Sequence, residues 1–511
     1  MKTDFIDHNN LGGFPMNNLA EVIPQPDFVP EEWLTNPPEI DFDSFDPEDN
    51  FLLDVDSYKA SHWLQYPPGT TRVMSYIESR GGKYERTVFY GLQIYLKKYL
   101  SRRVTKEMVD QAQVFFFLHG EPFNRAGWDY IVNELNGYLP IEVKAVAEGT
   151  VLPFKNAVVT IENTDDNVPW LTSYIETPIH RAVWYPMTVA SNSWTSKQII
   201  RQYMLETADE EAMAGLDFKL HDFGARGVSA KEAAGIGGSA HLVNFKGTDT
   251  VTGIIYGMKY YNSRNMLAWS VPAAEHSSII TWMKKGELEA YRNMLKQFGG
   301  KYPIISVVSD SYDIYNAVGE LWGKELKEEV LACGSQLVIR PDSGNPAEVV
   351  SKIALLIDST YGSTINSKGY KILNNVRILQ GDGINTESME DILATLIGFG
   401  FSADNVVFGQ GGGLLQQVDR DTNQFAMKAS WAMVNGEEID VYKDPVTSDG
   451  ITNKKSKRGR LMLYKDPING EYFTDREGVY PNPQLETVFL NGKITKEFTF
   501  EEVRARAEAT T

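Results

Sequence analysis

The chain has 511 residues, a formal net charge of −19, 42% apolar and 12% aromatic residues, and a single cysteine, Cys333. That composition suits a soluble globular enzyme of two or three domains, or one large barrel with an appended domain. It excludes an internal disulfide, argues against general nucleic-acid binding, which needs a basic face, and contains no apolar run near the ~18 residues of a membrane span.

The sequence opens without a basic segment leading into an apolar one, so no secretory signal is read and a reducing, cytoplasmic setting is expected. Residues 1–50 hold twelve Asp and Glu against one Lys, a charge of −11 that leaves −8 for the rest. "PDFVPEEWLTNPPEIDFDSFDPEDN" is rich in Pro and Asp, so this acidic arm is expected to be extended or disordered. A solvated tail lying on the body is the plain reading, and a partner-binding arm the other.

Residues 51–180 mix two periods. "TRVMSYIESR" and "IEVKAVAEGTVLPFKNAVVTIENTD" alternate as strands do, whereas "ERTVFYGLQIYLKKYL" and "TKEMVDQAQVFFFLHG" carry helical spacing. The mixture predicts the first part of an α+β domain.

Over residues 181–420 the pattern changes. Seven short apolar runs each end in polar residues or glycine: "LDFKLHDFGARG", "AHLVNFKGTD", "LAWSVPAAEH", "PIISVVSDSYD", "QLVIRPDSGNP", "VRILQGDG" and "NVVFGQGGG". Helical stretches such as "WMKKGELEAYRNMLKQF" and "NPAEVVSKIALLIDST" separate several of them. Buried parallel strands read as continuous apolar runs, and a strand–helix–strand unit takes about thirty residues or more. The pattern predicts an α/β fold with an irregular β/α barrel; a doubly wound open sheet is the alternative. Residues 421–511 return to strand-like alternation, with a basic loop, "DGITNKKSKRGRLMLY", and a closing amphipathic helix, "FEEVRARAEA". This tail is expected to pack on the α+β domain, so that the barrel is inserted between the two parts.

The strand endings gather chemistry: carboxylates at Asp222, Asp249, Asp310, Asp342 and Asp382, cations at Arg226 and Arg340, and glycines at 381, 383, 409 and 411–413. Glycine-rich turns let backbone N–H groups cradle a phosphate, and they also serve simply as tight turns. In "IRPDSGNP", strand alternation sends Arg340 and Asp342 to one side. There Arg suits a phosphate and Asp suits ribose hydroxyls or Mg²⁺, with an internal salt bridge as the alternative. No zinc-spaced Cys/His cluster and no P-loop occur, and the glycines of "VSAKEAAGIGGSA" (Gly235, Gly237) lie in a helical stretch, not after a strand. Asp249 heads "TVTGIIYG", where a helix N-cap is its structural alternative. His276, in "SVPAAEHSS", is one of seven histidines and by itself fits a ligand, a base, a nucleophile or a structural role.

These blocks together with "DSYKASHWLQYPPGTTRVMSYIESR", "TVFYGLQ", "HDFGARGVSAKEAAGIGGSAHLVNFKGTDT", "SVPAAEHS", "FGQGGGLLQ" and "GRLML" closely resemble the nicotinamide phosphoribosyltransferase family, colinearly from about residue 52 to the C-terminus. The resemblance implies a type II phosphoribosyltransferase fold and a homodimer with shared active sites. It also implies the joining of nicotinamide to phosphoribosyl pyrophosphate with Mg²⁺, as a step of NAD salvage. By residue, it implies that nicotinamide is stacked between Phe223 and the Tyr58 of a partner subunit, with Arg226 near the amide and the phosphates. Asp249 would accept a hydrogen bond from the amide nitrogen and repel nicotinate, so nicotinate phosphoribosyltransferase is the rival activity. Arg340 would bind pyrophosphate, Asp342 the ribose hydroxyls, and Asp310 the pyrophosphate-side network, with Ser306 nearby. Gly381, Asp382, Gly411 and Gly412 would surround ribose and its 5′-phosphate, with Arg420 and Lys428 reaching that phosphate from the partner. Arg80, Lys443 and Lys454 match residues around the outer phosphates or ATP. No side chain is expected to ligate the metal directly, the pyrophosphate holding most of it.

The same resemblance makes His276 the residue that ATP, as co-substrate, phosphorylates, with Glu275 a guess for its orienter. Two departures stand out: a short loop after Arg80 where vertebrate relatives carry a longer mobile segment, and Ala225 in place of an aromatic, which predicts a wider tunnel near nicotinamide.

Overall fold

In a computed structural model of the chain, residues 30–40, 49–445 and 455–510 are described. An antiparallel sheet draws on both ends of the chain. Its strand order is Glu437–Asp440, Phe425–Val434, Thr70–Ser79, Ala157–Asn163, Ile141–Ala145, Glu486–Leu490 and Lys493–Ile494. Thr70–Ser79 is central and buried from Val73 onward, and Ile77, Val143, Ile161 and Phe489 meet Phe89 and Trp128 in its core. The helix Lys106–His119 starts where Thr105 Oγ1 accepts from Met108 N and stops at Gly120, whose φ of 88° ends it.

"ERTVFYGLQIYLKKYL" is not helical throughout. Arg86–Val88 pairs as a strand with Val151–Pro153, and the helix begins only at Leu92. The cause lies at Gly91, with φ 104°, and at the buried Glu148, whose carboxylate accepts from Gly91 N (2.9 Å) and Gln93 N (2.7 Å) and so caps the helix from outside.

The seven apolar runs form a ring. Six strands pair in parallel in the order Gly247–Thr248, Leu220–Asp222, Val406–Gln410, Val376–Gln380, Gln336–Arg340 and Ile304–Val308. The segment 269–273 bridges both edges, Trp269 to Gly247 and Ala273 to Ser306. Trp269 N donates to Lys246 O (2.8 Å) and Ser306 N to Pro272 O (3.0 Å), so an irregular stretch closes the barrel. Pro272 has no N–H to give a ladder, which is why this side is bridged and not fully paired. The glycines 235 and 237 do sit inside a helix, Lys231–His241.

Residue 180 falls inside a 32-residue helix, Glu176–Thr207, which packs against both the strand Arg86–Val88 and the barrel-side helices, so no break in the chain occurs there. The tail divides its contacts. Glu486–Leu490 joins the antiparallel sheet, while the helix Phe500–Glu508 packs Phe500 and Val503 with Tyr90, Tyr261 and Leu267 along the seam, and Arg504 Nη2 donates to Leu242 O (2.7 Å). Of the acidic arm, residues 30–40 and 49–50 are described: Glu31–Thr35 form a helix with the Trp33 ring 5.4 Å from that of Phe117. Among the described residues no helix is long and apolar enough to cross a membrane.

Candidate active site

The C-terminal ends of the barrel strands converge on Asp310. Its side chain is 4% exposed, and its two oxygens divide the work. Oδ1 lies 3.0 Å from His276 Nε2, while Oδ2 accepts from Asp342 N (2.9 Å) and Ser343 Oγ (2.7 Å). Asp342 Oδ2 lies 3.8 Å from His276 Nδ1 and accepts from Arg340 Nη2 (3.2 Å). His276, Asp310, Arg340 and Asp342 therefore form one constellation, and the Arg340–Asp342 salt bridge is part of it. Arg340 Nε is buried without a hydrogen-bond partner among the described residues, leaving a donor for a ligand.

His276 opens the short helix His276–Ile280, and Glu275 is its N-cap. Glu275 shares a capping box with Ser278 and stands 3.7 Å from Arg226. The group that orients the imidazole is thus Asp310, brought from the next strand, and not Glu275.

On the opposite side, Phe223 follows Leu220–Asp222, its N–H donating to Gln410 O (2.9 Å). A Cβ on Gly409 would stand 2.1 Å from Phe223 Cε2, and one on Gly381 3.5 Å from the same atom, so the ring rests on two bare glycines. Gly381 also faces Asp342, 3.7 Å from its Oδ1 on the same measure. Asp249 is not the helix cap. That place belongs to Thr250, and Asp249 Oδ1 accepts from Ser270 Oγ (2.6 Å). Gly411 and Gly412 lie at the start of the short helix Gly412–Leu415, and Asp382 turns back so that its carbonyl accepts from Gln380 Nε2 (2.9 Å). Arg226 is 86% exposed, beside Glu275.

Between these walls runs a cavity of about 620 Å³, lined at the mouth by Phe223, Asp249, Ser306 and Arg340. It continues past His221 and Val338 to Lys219, Arg377 and Asp404 at the far strand ends. Burial lowers the pKa of His221, Lys219 and Arg377 alike. These interior groups are absent from the sequence reading, though the alternation of "KLHDF" puts Lys219, His221 and Phe223 on one side. Ala225 is exposed and outside this lining.

The remaining cations sit elsewhere in the chain. Arg80, Lys428 and Lys443, with Lys455, Tyr76 and Glu78, surround a separate cleft of about 210 Å³ on the antiparallel sheet. Behind it His180, also unforeseen, is pushed down to about 4 by burial and by Arg420 and Lys428. Arg420 pairs with Asp421 (3.0 Å), and Lys454 lies outside the described residues. Tyr58 is 55% exposed, its ring 5.1 Å from that of His62, and among the described residues it makes no ring contact with Phe223.

Comparison with known proteins decides the family. The model described as the nicotinate phosphoribosyltransferase (NAPRTase) family matches residues 218–493, and the nicotinamide phosphoribosyltransferase N-terminal domain matches residues 50–143. A relative from Xanthomonas campestris pv. campestris named nicotinamide phosphoribosyltransferase is 51% identical over 467 residues, spanning 90% of this chain and 98% of its own. The chain belongs to the nicotinamide phosphoribosyltransferase family.

Among solved structures, nicotinate-nucleotide pyrophosphorylase from Pyrococcus furiosus superposes with a TM-score of 0.59 at 16% identity, covering 91% of this chain and 97% of that one. Human nicotinic acid phosphoribosyltransferase gives 0.51 at 15% identity, over 89% and 93%. At those identities the likeness concerns fold alone, that of a type II phosphoribosyltransferase. Membership makes the chain an enzyme of the pentosyltransferase class.

Proposed function

We propose that this phosphoribosyltransferase joins nicotinamide to phosphoribosyl pyrophosphate, giving nicotinamide mononucleotide and pyrophosphate, as a step of NAD salvage. The observation that carries this reading is the Asp249 carboxylate in the cavity wall that also holds the Phe223 ring. A carboxylate there accepts from the amide NH₂ of nicotinamide and meets the carboxylate of nicotinate as a like charge. The pyridine nitrogen attacks the ribose anomeric carbon with its own lone pair while the bond to pyrophosphate breaks, so no general base is needed. The protein holds the two reactants in line and neutralises the departing charge, Arg340 with its unpartnered Nε being the donor at hand.

Asp342 would hold the ribose hydroxyls, and the turns at Gly381, Asp382, Gly411 and Gly412 the ribose 5′-phosphate. Asp310 already accepts three hydrogen bonds and Asp342 is paired with Arg340. Among the described residues no three His, Cys, Asp or Glu side chains form a ligand set. Mg²⁺ would be held mainly by the pyrophosphate, where it would supply positive charge to the leaving group.

The exposed Tyr58 and the separate cationic cleft support a homodimer in which one subunit lends Tyr58, Arg420 and Lys428 to its partner's barrel mouth. Asp310 beside His276 Nε2 favours the tautomer with the proton there, which leaves the Nδ1 lone pair to attack the terminal phosphorus of ATP. A nitrogen–phosphorus bond forms as ADP departs, and hydrolysis of the phosphohistidine later returns phosphate.

The test is product formation from nicotinamide, phosphoribosyl pyrophosphate and Mg²⁺, with and without ATP, in the parent enzyme and in His276→Ala. Nicotinamide mononucleotide should form in both proteins, with ATP stimulation in the parent alone. A parent that uses nicotinate and ignores nicotinamide overturns the substrate assignment; full ATP response in His276→Ala overturns the phosphohistidine.

A further inference from the structure

Asp222 is a strand-end carboxylate to which the reaction above gives no work. Strand alternation turns His221 and Phe223 toward the cavity and Asp222 away from it, toward the helices that pack outside the barrel. It is fully buried. Its Oδ1 accepts from Gly224 N (2.7 Å), fixing the turn that carries Phe223, while its main-chain carbonyl accepts from Asp249 N (2.9 Å). Its Oδ2 is buried and faces the helix Lys231–His241, where a Cβ on Gly238 would stand 3.4 Å away, with the Thr250 hydroxyl the neighbouring group that favours its charge. An asparagine would serve Gly224 N with no charge to bury, so a carboxylate here costs folding free energy that its local hydrogen bond does not require.

We propose that Asp222 is a positioning residue of the pyridine site, whose charged Oδ1 clamps the Phe223 turn while its carbonyl holds Asp249, so that one residue sets the stacking ring and the amide acceptor together. The proposal rests on the assignment of Phe223 and Asp249 to nicotinamide made above. Burial raises the Asp222 pKa to about 6, so the clamp is anionic at neutral pH and loses its charge as pH falls through that value. The titratable groups facing it are Asp249 beyond the neighbouring strand and Tyr185 on the long helix, while His221 on its own strand is turned to the cavity. Tyr185 is raised by burial and stays neutral over this range.

The experiment compares parent, Asp222→Asn and Asp222→Ala in steady-state kinetics with each substrate varied, between pH 5.5 and 7.5. Parent activity with nicotinamide is established first; its absence would overturn the functional assignment and leave the clamp without an object. Given an active parent, Asp222→Ala should raise KM for nicotinamide about tenfold or more, with KM for phosphoribosyl pyrophosphate within about twofold. Asp222→Asn, which keeps an uncharged acceptor, should recover part of that loss, with KM roughly fivefold above the parent at pH 7.5. Its nicotinamide KM should also lack the rise that the parent shows as pH drops below about 6. If Asp222→Ala does not fold, the Asp222→Asn profile decides alone. A parent-like inflection in Asp222→Asn, or equal effects on both substrates, overturns the proposal.

Discussion

Gly409→Ala isolates the platform beneath the Phe223 ring. Gly409 lies within the strand Val406–Gln410, in register with His221 on one neighbour, and its φ is not in the left-handed region, so alanine strains no backbone. The added methyl would stand 2.1 Å from Phe223 Cε2, 2.3 Å from Cδ2 and 2.9 Å from Cζ. Carbon atoms in contact keep about 3.5 Å, so the ring must retreat by roughly 1.4 Å. The strand is hydrogen-bonded on both sides and cannot yield, whereas the ring borders a cavity of about 620 Å³ and can.

Displacement of that size spends the offset stacking, worth about 0.5–1.5 kcal/mol beyond area, together with part of an overpacking cost of about 1–3 kcal/mol. A loss of ~1–2 kcal/mol in nicotinamide binding corresponds to a KM raised roughly 5- to 30-fold. The assay is nicotinamide mononucleotide formation with nicotinamide varied at saturating phosphoribosyl pyrophosphate, beside a melting curve to show that the fold survives. The control is the double-mutant cycle with Phe223→Ala, in which the methyl has no ring to displace and Gly409→Ala should cost almost nothing further. An unchanged nicotinamide KM in Gly409→Ala, or full additivity with Phe223→Ala, would refute the reasoning.

Three more outcomes are expected. Asp249→Asn exchanges a pure acceptor for an amide that can donate to a carboxylate, so the ratio of kcat/KM for nicotinamide over nicotinate should fall at least about tenfold in a competition assay; an unchanged ratio removes Asp249 from specificity. Tyr58→Ala and Phe223→Ala chains, each deficient alone, should recover up to about one quarter of parental activity on co-expression, because half of the dimers are mixed and each mixed dimer keeps one intact site. No recovery would place both residues in one chain's own site. For Asp222 the folded pKa of about 6 lies above the usual carboxylate value, so its stabilising contribution is complete below about pH 4 and lost as pH rises through 6. Asp222→Asn should therefore gain up to about 3 kcal/mol over the parent in urea unfolding at pH 7.5, a margin that closes toward pH 4; a constant margin would mean that Asp222 keeps an ordinary pKa.

The legible part of this protein is the part written in local pattern. Each of the seven barrel segments is visible as an apolar run because a strand covered on both faces has no polar alternation to dilute it, and the polar residue that ends each run marks the mouth. Arg340 and Asp342 are legible together for the same reason, one ending its strand and the other two residues beyond it. What pattern does not carry is partnership across strands. Glu275 is adjacent to His276 in sequence, yet the helix start takes it as a cap, and the imidazole finds Asp310 thirty-four residues away. Gly409 looks like one more phosphate-loop glycine, and only the parallel register with His221 shows that its missing side chain is the space occupied by Phe223.

The error in "ERTVFYGLQIYLKKYL" has the same origin. Its helical spacing is genuine, but Glu148, fifty-seven residues beyond Gly91, decides where the helix may begin. The closing segment 269–273 illustrates the limit from the other side. Its apolar run is readable, but Pro272 keeps it from pairing as a regular strand, so the barrel closes by two bridges. That irregular closure leaves Ser270 free of a ladder role, with its hydroxyl on Asp249. The least regular segment of the barrel is thus the one that orients Asp249, the carboxylate proposed to choose the substrate.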